Sequence, residues 1–255
     1  MISKSSVRVS LALAAAMAGT AGLAACGDDE GGTESAASSL PQGSESVELD
    51  PAEFTTEIDN PYWPMTPGSR WVYSETDTEG SEQKVVVTVT DETKRLANGV
   101  EARVVHDAVT EGGEPVEITD DFYAQDADGN VWYMGEDTAE YENGKVATTA
   151  GSFEAGVDGA QAGIIIPADP EPGLSYRQEY YKGEAEDQGE IVKLDAQAEV
   201  PFGHFDEALM TQDTNPLEPK VLEFKFYARD VGPVLAVAVS GGSDREELLS
   251  YHPGE

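Results

Sequence analysis

Cysteine and cationic side chains are both scarce in this sequence. The single cysteine among 255 residues, Cys26, excludes an intramolecular disulfide, so the fold must be held by its core. Fifteen Lys and Arg face 50 Asp and Glu, which gives a formal net charge of −35. Such a charge repels phosphate backbones and anionic membrane surfaces and favours a soluble monomer. The composition therefore excludes a nucleic-acid partner.

Motifs of hydrolytic and metal chemistry are missing as well. The sequence has no G-x-S-x-G nucleophile elbow, no H-E-x-x-H and no cysteine cluster. The three histidines, His106, His204 and His252, are scattered, and the neighbours His106 and Asp107 point to opposite faces of a strand. We therefore expect structural or surface histidines, no catalytic residue, no metal centre and no enzyme activity.

The sequence has an apolar run near its start. Lys4 and Arg8 precede an alanine-rich stretch over residues 9–25, which ends in small residues. A charged start, a short apolar run and a small-residue exit are typical of a secretory signal peptide, and the run is short for a spanning helix. We predict a signal peptide over residues 1–25.

Leu23-Ala24-Ala25-Cys26 closes this run and resembles the lipobox of bacterial lipoproteins. The resemblance implies cleavage before Cys26 and a diacylglyceryl group on its sulfur, with no other cofactor. A palmitate-type pair of acyl chains would hold the protein on the extracytoplasmic face of the cell membrane, because each buried CH₂ contributes ~0.8 kcal/mol. The alternative is an ordinary signal peptide with a cysteine near its cleavage site by chance.

Residues 26–50 are the lipidated cysteine followed by Gly, Ser, Ala and acidic residues, with almost no bulky apolar side chain. Such a composition buries too little surface to offset its ordering entropy. It predicts a flexible spacer between the anchor and a folded domain over residues 51–255.

The chain beyond Arg70 alternates apolar and polar residues with period two. Clear examples are Val85, Val87 and Val89, and Leu222, Phe224 and Phe226; turn signals such as Asn98-Gly99, Asp128-Gly129 and Asn143-Gly144 separate the runs. This pattern predicts an all-β domain, an antiparallel sandwich or barrel of about ten to twelve strands.

Two segments of the domain look alike. FYAQD at residues 122–126 returns as FYARD at 226–230, and Pro67-Gly68 returns as Pro172-Gly173, at offsets of 104 and 105 positions. Nearly equal offsets favour an internal duplication, with related halves at 67–136 and 172–240. The alternative is chance reuse of common strand patterns. We expect Phe122 and Phe226 to point inward, with Tyr123 and Tyr227 on the opposite faces.

Asp126, Asp128, Asn130 and Asp137 are a weak candidate calcium loop. Their alternate spacing resembles the ligand positions of such loops, but Gly129 is at the fourth rather than the sixth position. Asp-Gly between two strand-like runs favours a hairpin turn instead.

Two further sets of residues are candidates for a site. The acidic pairs Asp120-Asp121 and Glu246-Glu247 resemble glycosidase carboxylates, although sequence neighbours on a strand face apart. The aromatic residues could line an apolar ligand pocket or form the core; they are Trp63, Trp71, Trp132, Tyr180, Tyr181 and Phe226.

NPYWPMTPGSRWVY, FYAQDADGNVWYMGED and FYARDVGPVLAV resemble an uncharacterised lipoprotein family of high-GC actinobacteria. The resemblance covers nearly the whole mature chain and implies an exported, lipid-anchored β-domain in a Gram-positive envelope, with no known catalytic residue. We expect a non-enzymatic ligand carrier or interaction domain, with an apolar small molecule or an envelope protein as partner. The alternative is an envelope hydrolase that acts on wall glycans through carboxylates.

Overall fold

The computed structural model describes residues 40–255. After one 3₁₀ turn, Pro51–Glu53, the elements are β1 (Phe54–Thr55), β2 (Arg70–Thr76), β3 (Glu82–Arg95), β4 (Glu101–Glu111), β5 (Glu114–Asp126), β6 (Val131–Glu142), β7 (Lys145–Thr148), β8 (Phe153–Glu154), β9 (Gln161–Ile166), β10 (Ser175–Arg177), β11 (Glu179–Tyr180), β12 (Gln188–Val200), β13 (Gly203–Thr214), β14 (Leu222–Ala228), β15 (Gly232–Ser240) and β16 (Arg245–His252). The predicted all-β fold is confirmed. No helix among these residues is long and apolar enough to span a bilayer.

The strands form one antiparallel sheet that curls almost completely into a barrel. Its order is β10-β12-β13-β14-β15-β16-β2-β3-β4-β5-β6-β9-β11. The two end strands, β10 and β11, are consecutive in the chain and separated by Gln178 alone. The segment 175–180 therefore joins both ends of the sheet: β10 pairs with β12, and β11 pairs with β9. Of the two architectures expected, the barrel is the one formed.

Alternation places large aromatic side chains inside this barrel. Trp71 and Tyr73, two residues apart on β2, are almost fully buried. Their polar atoms have partners: Trp71 Nε1 donates to the carbonyl of Val231 at 2.7 Å, and Tyr73 OH donates to that of Pro233 at 3.0 Å. Burying one large apolar side chain stabilises the fold by ~1.5–3 kcal/mol. These two side chains thus hold β2 to the start of β15 and the residue before it.

The two segments proposed as repeats have the same local architecture. Unit 67–136 runs as a meander β2-β3-β4-β5-β6, and unit 172–240 runs in the order β10-β12-β13-β14-β15, with β11 paired to β9 instead. Gly68 N and Gly173 N donate to the carbonyls of Val89 and Ile191 at 2.9 and 2.8 Å. The pairing register shifts between Phe122 and Tyr123 in one unit and between Phe226 and Tyr227 in the other. These likenesses support the duplication, which stays a prediction.

The expected orientation of the two phenylalanines is wrong. Tyr123 and Tyr227 line the barrel interior. Phe122 is buried on the outer face, where Lys94 Nζ lies 3.8 Å from its ring centroid, and Phe226 is only partly buried. The outward faces are covered by long side chains instead of solvent, and the tyrosines pack inside as aromatic groups with a polar end.

Residues 40–50, which we call the N-terminal strap, pack against the barrel although they belong to the predicted spacer. Pro41 is buried, and its carbonyl accepts from Arg177 N at 2.7 Å. The buried Arg177 guanidinium donates through Nη1 to the carbonyls of Gly43 and Glu45, at 2.9 and 2.6 Å. A buried guanidinium needs acceptors, and the strap supplies them. The packed domain therefore begins before Pro51.

Candidate functional site

A cavity of about 120 Å³ lies inside the barrel. Trp63, in the segment before β2, forms one wall by packing against Tyr123 and Tyr227, with ring centroids 5.5 and 6.0 Å away. Tyr73 and several valines extend this apolar surface. The volume suits a small molecule rather than a polymer chain.

Acidic side chains form the rest of the lining. The carboxylates are Glu75, Asp107, Glu117, Asp121, Glu136, Glu223, Asp244 and Glu246, and the cationic residues beside them are Lys225 and Arg245. Side chains alternate between the two faces of a strand, which explains why acidic and aromatic residues line the same cavity. Glu75 follows Tyr73 by two residues, and Asp121 precedes Tyr123 by two, so each acid shares the inner face with an aromatic residue.

Both cationic lining residues have carboxylate partners of their own. Lys225 Nζ lies 3.0 Å from Asp213 Oδ2 and 3.3 Å from Glu223 Oε2, and all three side chains are largely buried. Arg245 Nη2 pairs with Glu247 Oε1 at 2.7 Å. Each of the two cationic lining residues thus has at least one carboxylate within ion-pair distance.

Asp121 and Glu136 share one phenol. Tyr133 OH lies 2.7 Å from Asp121 Oδ1 and 2.9 Å from Glu136 Oε2. A phenol has a single proton to donate, so a carboxyl group must carry a proton for both contacts to be hydrogen bonds. Burial raises the pKa of Asp121 and of Glu136, and their mutual repulsion adds to the effect on Glu136.

Asp107 and Glu246 complete this group, and we call Asp107, Asp121, Glu136 and Glu246 the acidic cluster. Burial raises the pKa of Asp107 well above its usual range, and repulsion from Asp121 and Glu246 adds to it. Burial likewise raises the pKa of Glu246 to about 8. Buried carboxyls without a cation take up protons instead of staying charged. The cluster is therefore a reservoir of protons near neutral pH.

The two acidic pairs of the sequence separate as strand geometry requires. Asp120 pairs with His106 Nδ1 at 2.7 Å on the outer face, while Asp121 lines the cavity. Glu247 pairs with Arg245, while Glu246 lines the cavity. Each pair splits, yet the inner members of both pairs reach the same cavity.

The calcium candidates form a hairpin between β5 and β6. Asp126 Oδ1 accepts from the backbone N of Asp128 and of Asn130, and its Oδ2 accepts from Trp132 Nε1. Asp137 lies further along β6 and pairs with Lys94 Nζ at 3.1 Å. The carboxylate of Asp126, the first ligand position of the candidate calcium loop, therefore already accepts hydrogen bonds from donors of the turn. In the described chain, no group of three His, Cys, Asp or Glu is arranged to hold a metal ion.

The histidines and most of the aromatic candidates lie away from the cavity. His204 pairs with Asp206 on the surface, and His252 is exposed at the end of β16. Trp71 stacks on Tyr251, and Trp132 contacts Phe54. Tyr180, Tyr181 and Phe226 are half-buried outside the lining, so Trp63 alone of the six reaches the cavity. Cys26 lies outside the described residues.

Sequence reasoning missed most of the acidic lining, although a signal for it exists. Asp107, Glu136 and Glu223 were hidden among the 50 acidic residues of the chain. Two of them share the inner face of their strand with a buried side chain: Val109 follows Asp107 by two positions, and Tyr227 follows Glu223 by four. The same phase also marks Asp120, which precedes the buried Phe122 by two positions and lies on the outer face, so the signal finds buried acids without telling inside from outside.

Comparison with known proteins adds little to this geometry. No family model and no curated protein matches the chain. A crystal structure of a putative lipoprotein from Parabacteroides distasonis is similar, at 15% identity and a TM-score of 0.40, and the match covers 75% of this chain and 98% of that chain. A likeness at this level carries no inference about activity.

Proposed function

We propose that this protein is an exported, lipid-anchored binding protein that holds a small ligand inside its barrel and catalyses no reaction. The observation that carries the proposal is the interior cavity of about 120 Å³ with one aromatic and one acidic side. Ligand sites are concave, mostly apolar and furnished with a few polar groups. Cys26, behind its apolar run, supplies the anchor to the cell membrane.

The anchor is tested by Cys26→Ala in the cells that make the protein. We expect the variant to lose the lipid mass and to leave the membrane fraction, because no second thiol can carry the acyl group. Ser44→Ala, an exposed change in the strap, is the matched control and should stay in the membrane. Equal membrane retention of both variants, with no lipid on the parent, contradicts the anchor.

Ligand binding is tested by native mass spectrometry of the detergent-solubilised protein. We expect a co-purifying small molecule that Glu136→Gln and Trp63→Ala release, because both residues line the cavity. Asp120→Asn, on the outer face, should retain it. A parent protein that carries nothing, and that binds no small molecule added to it, contradicts the proposal.

The second candidate is a wall-glycan hydrolase, which the shared location of Asp121 and Glu246 favours. A carboxyl that stays protonated near neutral pH can act as a general acid. The test is release of reducing ends from purified wall glycan. Activity that Glu246→Gln abolishes and Glu247→Gln leaves intact would replace the binding proposal with this one.

A further inference from the structure

The barrel interior holds more negative charge than its own cations balance. Lys225 is shared by Asp213 and Glu223, and Arg245 is paired with Glu247. Within the described chain, no Lys, Arg or His lies within ion-pair distance of the four members of the acidic cluster. A buried carboxylate in this position needs a proton or an added cation.

Two oxygen atoms of the cluster also lack donors. Glu136 is 1% exposed, and its Oε1 is buried without a hydrogen-bond partner, while Oε2 is held by Tyr133. Asp107 Oδ1 is likewise buried and unpartnered. Both residues line the cavity. Unsatisfied buried acceptors are costly, so the complementary ligand is one that brings N–H donors.

The remaining wall has the chemistry that favours a positive charge on an organic body. The rings of Trp63, Tyr123 and Tyr227 pack together on it. Aromatic faces attract cations and cover hydrocarbon at the same time. A bare metal ion uses neither property, and no group of three acidic or histidine side chains in the described residues is arranged to ligate one.

We propose that the cavity binds a small organic ammonium ion, whose N–H groups reach Glu136 and Asp107 while its carbon body packs on Trp63. This deepens, and rests on, the proposed function as a ligand-binding barrel. No bond is made or broken. Selectivity arises from charge and from size, because the cavity of about 120 Å³ admits an amine with a short or cyclic carbon body.

Proton release accompanies binding. Burial raises the pKa of Asp107, of Glu136 and of Glu246, so the empty cluster holds protons near pH 7. The ammonium takes their place, and affinity rises as the pH rises from 6 to 8. The charged and titratable groups that act on the cluster from neighbouring segments are Glu75, His106, Glu117, Asp120, Tyr133, Asp187, Glu223, Lys225 and Arg245. The acidic neighbours oppose ionisation of the cluster, whereas the hydrogen bonds from Tyr133 favour ionised Asp121 and Glu136, and Lys225 favours ionised Glu246.

Calorimetric titration of the detergent-solubilised protein with cyclohexylamine tests the proposal, with cyclohexanol as the neutral analogue and cyclohexanecarboxylate as the anion. We expect the amine to bind at least tenfold more tightly than either analogue at pH 8. Its affinity should fall at least tenfold at pH 6. The binding enthalpy should depend on the ionisation enthalpy of the buffer, as proton release requires.

Matched variants localise the effect. Glu136→Gln and Asp107→Asn should each weaken amine binding at least tenfold and reduce proton release. Two variants are used so that the test still holds if one of them fails to fold. Asp120→Asn, next to Asp121 but on the outer face, should bind as the parent does.

Three results overturn the inference. Equal or tighter binding of the alcohol or the carboxylate refutes the cation but leaves the binding barrel standing. Calcium binding without amine binding makes the site a metal site. Absence of binding by every ligand, together with no co-purifying molecule, refutes the inference and the proposed function together.

Discussion

Replacing Glu246 by Gln should make the protein more stable at alkaline pH. Burial, with repulsion from Glu75 and Glu223, raises the pKa of Glu246 to about 8 from 4.5, and Lys225 offsets only part of this. In the unfolded chain the same carboxyl titrates at its ordinary value. Between these two pH values the native state binds more protons than the unfolded state. The free energy of unfolding therefore falls as the pH rises through this window.

The magnitude follows from proton linkage. One group with such a difference changes the free energy of unfolding by ~1.4 kcal/mol per pH unit across the window. Because Glu246 faces a cavity that admits solvent, we expect the free energy of unfolding to fall by a total of ~2–4 kcal/mol across the window. This is less than the slope multiplied by the full width of the window. Below about pH 4.5 and above about pH 8 the contribution is constant. The amide of Gln does not titrate and removes this loss.

Urea unfolding at pH 5 and at pH 8.5 measures the effect. Glu246→Gln should match the parent at pH 5 and exceed it by ~2–4 kcal/mol at pH 8.5, which corresponds to about 5–15 °C in melting temperature for a domain of this size. Glu247→Gln, which breaks an exposed pair with Arg245, should change stability by no more than ~1 kcal/mol at either pH. A gap between Glu246→Gln and the parent that stays constant with pH refutes the reasoning.

Three further predictions concern packing. A chain that begins at Pro51 should be less stable by several kcal/mol than one that begins at Leu40, because the Arg177 guanidinium then loses two acceptor carbonyls of the strap. Equal melting temperatures of the two chains would contradict the role of the strap. Lys225→Met should lower the free energy of unfolding by ~3–5 kcal/mol at pH 8 and by less at pH 5, as measured by urea unfolding. Burial raises the pKa of Glu223 to about 7, so Glu223 is protonated at pH 5 and no longer needs a cation. A loss that does not change with pH would contradict this reasoning. Phe122→Ala should cost ~3–5 kcal/mol and Phe226→Ala ~1–2 kcal/mol by the same assay, as only Phe122 is fully buried; the reverse order would show that the outer faces are assigned wrongly.

The antiparallel β fold could be predicted from the sequence because its signals are local. Alternation in strands such as β3 and glycine turns such as Asp128-Gly129 depend on residues a few positions apart. The closure of the ring could not be predicted, because it depends on the short segment 175–180 pairing on both sides. The packing of the strap was hidden as well, since its acceptors are backbone carbonyls, which every residue has.

The site was harder to predict than the fold. Alternation tells which residues share a face, but not which face is inside, so hydrophobicity favoured Phe122 over Tyr123. The interior of this barrel is polar at Asp121, and Tyr123 shares that face. An acidic composition also made each carboxylate look like a solvated surface residue. Phase with a buried aromatic residue does not separate the two sets, because the outer Asp120 is in phase with the buried Phe122 just as the inner Asp121 is in phase with Tyr123.

The pairing of β16 with β2 has a consequence for how the chain is made. Arg245 lies opposite Thr76, and His252 lies opposite Arg70. One edge of β2 therefore has no partner until the ribosome has added some 170 further residues, and the seam cannot form earlier. Unpaired edges recruit strands from other chains, and contacts so distant in sequence form slowly. A partly translated chain would thus present the open edge of β2 for most of its synthesis, and that edge is covered only when the last strand is complete.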